Sequence, residues 1–256
     1  MKQTRGEIRV GRCTYDKAGA RTDPSFPGFT PIIVLTKSSA YGALGPYELK
    51  DEKGEIMENH WQKCKVYATI PASKQTYSRY DKTVIWDHPA ETHAIFKREP
   101  EATWQVLPAY FAWREKLEKA PKAVRYPVGF NHRHRCLFSL AERSDGVIDP
   151  TPLDYIAGRK VIYAPLYERL ARKCPLFAKL QVRLNAGESL CVIEVDGPHQ
   201  EALDYYVEKY GVSRDFIENG TMLATPQNLS IMLNDEKFSY GHGYVLAGAL
   251  LDLHVE

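Results

Sequence analysis

The sequence predicts an α+β fold, predominantly helical, with a small β-hairpin or sheet. Three observations lead there. Apolar residues recur at helical spacing over several long stretches. Short β-branched apolar runs stand apart at Pro31-Ile-Ile-Val-Leu-Thr36 and at Leu190–Val195. Gly, Pro and capping residues punctuate the chain between these runs. No repeat, low-complexity tract or linker divides the 256 residues, so a single domain over 1–256 is expected.

Taken in order, residues 14–31 read as an irregular entry rich in Gly, Pro, Ser and Asp, followed by a buried strand over 31–36. Residues 47–57 read as strand, turn and strand, with Gly54 at the position that favours positive φ. Residues 58–67 then read as a helix in which Glu58, Gln62 and Lys65 share one face, being spaced i, i+4 and i+7. Residues 69–91 are polar and aromatic and suit a loop over a site. Trp104, Leu107, Phe111 and Leu117 form a stripe on a helix expected over 99–119, kinked at Pro108. A further helix is expected from Asp149 through Tyr163 and Leu170 toward Cys174, bent at Pro165, and another over 175–185, stopped by Gly187. After the strand Leu190–Val195, two short helices are expected near Glu201–Tyr210 and after Thr225-Pro226, and an apolar helix from Gly243 to Leu253.

Composition excludes some classes. Hydrophobic content of 44% and charged content of 26% are those of a soluble globular protein. A net charge of +2 and a pI of 8.2 do not predict strong nonspecific nucleic-acid binding, although a local basic patch is compatible with them. Sixteen Tyr and four Trp supply rings for stacking on flat ligands. Cys13, Cys64, Cys136, Cys174 and Cys191 are scattered, with no C-x-x-C pair, which suits a reduced cytoplasmic protein or a viral protein in a host cytoplasm. The first residues lack the apolar run of a signal peptide, and the longest apolar stretch, Tyr244–Leu251, is too short to span a bilayer.

Two acidic segments carry the chemistry. The first runs from Gly54 to Lys65 and holds Glu58; the second runs from Ser189 to His199 and holds Glu194 and Asp196. Glu194 lies in an apolar strand where a lone charge is costly, so it belongs to a site or is paired with a base. Glu58 also reads as a first-turn acid favoured by the helix dipole, and Asp196 before Gly-Pro as a turn starter. Gly241-His242-Gly243 lets a ligand approach the backbone at the start of the last helix. Asn131-His-Arg-His-Arg-Cys136 bunches imidazole and thiol without zinc spacing, and Arg133 and Arg135 make it better suited to phosphate.

Ala40-Tyr-Gly-Ala-Leu-Gly-Pro-Tyr47, the hairpin, and Glu58-x-x-x-Gln62-x-x-Lys65 resemble the opening block of the NADAR superfamily of YbiA-like N-glycosidases. The helix through Leu166–Lys173, the helix Leu176–Leu184, the run Leu190–Glu194 with Asp196, and Tyr240–Gly243 with Ala247–Leu251 are similar to that family's later blocks. The resemblance implies a core of about 30–67 and 150–256 with an insertion of about 68–149. Asn59 stands where the family has His, and Tyr155 lies near the position of a family tryptophan. It also implies hydrolysis of a ribose C–N bond in a nucleotide or ADP-ribosylated substrate, guanine in nucleic acid included, through an oxocarbenium-like transition state. Glu58 and Asp196 would be the catalytic acids. Gln62 and Lys65 would contact phosphate or ribose, Trp61 and Trp86 would stack or flank the sugar, and Glu194, Arg133, Arg135, Gly241, His242 and Gly243 would complete substrate binding. No cofactor or metal is implied. The partners expected are a nucleotide or ADP-ribose-type small molecule and modified DNA or RNA, with no membrane.

Two rival classes remain. The run Val192–His199 also resembles the acidic strand of restriction-endonuclease-like enzymes, which would bind Mg²⁺. A non-catalytic module recognising ADP-ribose or a modified nucleotide would need the same binding groups without the acids in play. There is no P-loop, G-x-S-x-G elbow or dinucleotide fingerprint.

Overall fold

The structure, a computed structural model, describes residues 4–35, 40–72 and 88–255. In chain order its principal strands are β1 (Ile8–Arg12), β2 (Phe29–Ile33), β3 (Lys65–Val66), β4 (Ala94–Lys97), β5 (Thr103–Val106), β6 (Phe138–Ser139), β7 (Ser189–Glu194) and β8 (Thr221–Leu223). The helices are α1 (Met57–Lys63), α2 (Pro108–Glu118), α3 (Ala164–Lys173), α4 (Pro175–Asn185), α5 (Leu203–Tyr210), α6 (Pro226–Asn234) and α7 (His242–Leu251). The chain therefore mixes helices with small sheets. It divides into two compact units, residues 1–49 with 164–256, and residues 50–163.

The first unit is organised by a four-stranded sheet in the order β8-β1-β7-β2. β1 and β2 flank β7 in parallel, with Ile8 opposite Leu190 and Ile193 opposite Ile33, and β8 adds an antiparallel edge. A central parallel strand is covered on both faces and reads as a near-continuous apolar run, which explains Leu190-Cys-Val-Ile. α7 packs against β1, β7, α3, α4 and α6, so it has no solvent face. Every residue from His242 to Leu250 is buried, as an all-round apolar helix requires.

In the second unit α1 packs on α2, β3 pairs antiparallel with β6, and β4 with β5 forms a hairpin. Val66, Tyr67, Ile70, Tyr110, Trp113 and Leu117 centre its core.

Several elements differ from expectation for local reasons. The helix expected over 58–67 stops at Lys63, because Lys65 and Val66 pair with Ser139 and Phe138 instead. Lys65 is thereby removed from the face it was expected to share with Glu58 and Gln62. The helix expected over 99–119 begins only at Pro108, after the strand Thr103–Val106. Proline at the first helical position needs no N–H partner, so Pro108 starts the helix rather than kinking it. The helix expected from Asp149 is capped by Asp154, whose carboxylate accepts from the Ala157 amide, and begins at Tyr155. A wider π-type turn over Arg159–Tyr163 then precedes Pro165, which has no N–H to donate. Gly54 and Gly187 do adopt the positive φ expected of them, +84° and +87°. Helix Pro175–Asn185 has the expected bounds.

Candidate functional site

Of the residues singled out in the sequence, Glu58, Trp61, Gln62, Lys65, Arg133 and Arg135 lie in the second unit; Glu194, Asp196, Gly241, His242 and Gly243 lie in the first. Trp86 and most of the expected loop over 69–91 lie outside the described residues.

The second unit builds its cluster on α1. Asp51 organises the approach by accepting from the Lys53 and Glu55 amides, and Ile56 enters the helix in an extended conformation. Most of α1 is buried despite its polarity, because its polar side chains find partners. Gln62 donates to Glu58 Oε1 at 2.7 Å, fixing a carboxylate that is only 8% exposed. Asn59, fully buried, donates to Lys122 O at 3.1 Å and accepts from the Val124 amide at 2.7 Å. That bond pair gives Asn59 a structural duty in tying down residues 120–124.

The Tyr67 hydroxyl belongs to a side chain only 2% exposed. Burial first, then Cys136, Tyr155 and Glu58, push that hydroxyl well above the usual tyrosine range, so it keeps its proton and can donate. Tyr155 is exposed, and the buried Arg159 guanidinium sits 4.1 Å over its ring. Trp61 is 7% exposed, packed against Tyr163 at 5.4 Å between ring centroids, with the Lys65 ammonium 4.6 Å over its ring. It is a core ring rather than an open stacking platform. Sequence spacing missed Tyr67 and Arg159, although Tyr155 was marked by its place in the chain.

Behind this cluster lies a buried charge network that the sequence did not suggest. Lys63, 1% exposed, meets Glu55 at 2.8 Å, Glu142 at 3.2 Å and Glu118 at 3.8 Å. Arg114 meets Glu142 at 2.9 Å, and His60 meets Glu55 at 3.3 Å. Burial alone would lower the His60 pKa. Cys64 and Glu55 overcome that and raise it to about 9. Burial likewise opposes charge on Glu55, but His60 and Lys63 hold its carboxyl below the usual range.

In the first unit, Glu194 is wholly buried at the end of β7. Its Oε1 accepts from the Gly243 amide at 2.7 Å, and Oε2 lies 3.0 Å from His242 Nδ1, at ion-pair distance but without a well-aligned hydrogen bond. His242 Nε2 donates to Val34 O at 3.0 Å, so acceptors face both ring nitrogens. Burial lowers the His242 pKa, and Glu194, Val34 and Asp196 more than offset it. A Cβ on Gly241 would stand about 2.3 Å from the Glu194 carboxylate, and one on Gly243 about 2.7 Å away. The Gly-His-Gly turn is therefore shaped to receive this carboxylate, and the anion held at the start of α7 is the chain's own. Glu194 is the paired acid that its apolar strand demanded. Asp196 is exposed in the bend just beyond it.

Arg133 and Arg135 are exposed on a 3₁₀ segment over 130–135. Among the described residues no three His, Cys, Asp or Glu side chains group as a metal ion would need, and no helix is long and apolar enough to cross a membrane. Comparison against family models, curated proteins and solved structures finds no match for this chain.

Proposed function

We propose that this chain hydrolyses the N-glycosidic bond of a nucleotide or ADP-ribosylated substrate, with Glu58 as the acid that acts at the ribose. The observation that carries the proposal is the Glu58–Gln62 pair on buried α1, within electrostatic reach of a protonated Tyr67. In the reaction, water adds to the anomeric carbon as the C–N bond breaks, one water proton passes to Glu58, and the departing nitrogen takes up a proton from a donor. Gln62 keeps the carboxylate oriented, Tyr155 offers an exposed ring to a planar group, and Lys65 with the Arg133–Arg135 segment supplies positive charge for phosphate. Ligand and charge are in keeping: residues 50–163 hold 19 Lys and Arg against 15 Asp and Glu, whereas the other unit holds 15 against 17.

The restriction-endonuclease-like alternative needs Glu194 to offer its carboxylate to a cation, and that carboxylate is buried against His242 and Gly243. The test is incubation with ADP-ribosylated DNA, ADP-ribosyl guanosine and pyrimidine ribosides in the presence of a chelator. Release of free base or ADP-ribose is expected from one of them. No release from any, with metal-dependent nicking of DNA instead, refutes the proposal.

A further inference from the structure

The second unit carries a cleft of about 140 Å³ lined by Thr69, Pro71, Val128, His132 and Arg135. That volume is well below the roughly 300–1,000 Å³ of a site for a drug-sized ligand, so it suits one small group rather than a whole nucleotide. Its polar members are donors: a guanidinium, an imidazole and a hydroxyl. Val128 is buried and with Pro71 gives the cleft an apolar side.

The state of Arg135 narrows the choice further. Two other arginines of this unit meet acids: Arg114 meets Glu142 at 2.9 Å, and the exposed Arg143 meets Asp145 at 3.6 Å. Among the described residues no carboxylate pairs with Arg135 or His132. An unpaired fork of N–H donors beside an imidazole and a hydroxyl matches a tetrahedral anion, which accepts from several directions at once. The cleft is also tied to the candidate site through the backbone. Thr69 follows β3, and the Leu137 amide, two residues beyond Arg135, donates to Val66 O at 2.8 Å.

The geometry points to this cleft as a phosphate-binding subsite, with Arg135 as its principal donor and His132 and Thr69 completing the cradle. The phosphate comes from a nucleotide-type ligand or from a nucleic-acid backbone, and the group recognised is the same. The inference deepens the function proposed above without requiring catalysis, since a chain that cleaves nothing would still bind phosphate here.

The experiment uses the full chain and calorimetric titration with ADP-ribose, a short single-stranded DNA oligonucleotide and inorganic phosphate. Wild type, R135A, H132A and, as a surface control, R143A are compared. R135A is expected to weaken binding roughly tenfold, the loss of charge-assisted bonds to one anion, while R143A binds as wild type. A loss confined to ADP-ribose assigns the subsite to a nucleotide phosphate. A loss confined to the oligonucleotide, with a salt slope shallower by about 1, assigns it to a phosphodiester. Wild-type binding of all three probes by both R135A and H132A, with unchanged melting temperature, overturns the subsite. The glycosidase proposal fails separately, by absence of base release when binding is intact.

Discussion

Titrating His60 is the sharpest test of the buried network beneath α1. Its side chain is 19% exposed and its pKa rises from 6.5 to about 9 in the folded chain. The folded state thus holds a proton that the unfolded chain releases between those values. The stabilisation is fully present below pH 6.5 and is lost as pH rises through about 9. At 1.36 kcal/mol per pKa unit it amounts to about 3 kcal/mol. Urea unfolding of wild type and H60Q at closely spaced pH values reads it directly. Wild type is expected to lose about 1–3 M in midpoint across that window relative to H60Q, given ordinary urea slopes. If the two profiles run parallel, His60 carries no extra proton in the folded state and the network is wrongly described.

Replacing His242 by Ala leaves the Glu194 charge buried without its base, and a melting-temperature loss equivalent to about 3–5 kcal/mol is expected at pH 6. Because the folded His242 pKa is raised, wild type should converge toward this variant as pH climbs through that pKa. G243A pushes a methyl against the same carboxylate and should cost about 2 kcal/mol in chemical denaturation; a neutral result would show that β7 and α7 are not held as described. N59A removes the bonds to residues 120–124 and should cost about 1–3 kcal/mol. Faster proteolysis within 120–124 would localise the damage, and wild-type resistance there would argue against the tie.

What could be read from the sequence was whatever local pattern decides. The terminal helix announced itself by being apolar all round, and Glu194 by being a charge in an apolar strand. What escaped depends on partners far away in the chain. Ile8–Arg12 is short and bracketed by charge, and only pairing with Leu190–Glu194 makes it a central strand. Lys65 fits a helical period, yet pairing with Ser139 overrides it. The same holds for the site: Glu58–Gln62 is an i, i+4 pair, but Lys63 meets Glu118 and Glu142 across 55 or more residues, which no spacing rule detects. Gly241 and Gly243 were legible as a close approach, though the approaching group is Glu194 rather than a ligand.

Release of base or ADP-ribose by wild type and E58Q, measured under single-turnover conditions with a chelator present, tests the role of Glu58 most directly. E58Q is expected to fold and bind substrate as wild type does while release falls at least about 100-fold, the scale of a lost general acid or base. Release by E58Q at the wild-type rate would contradict that role.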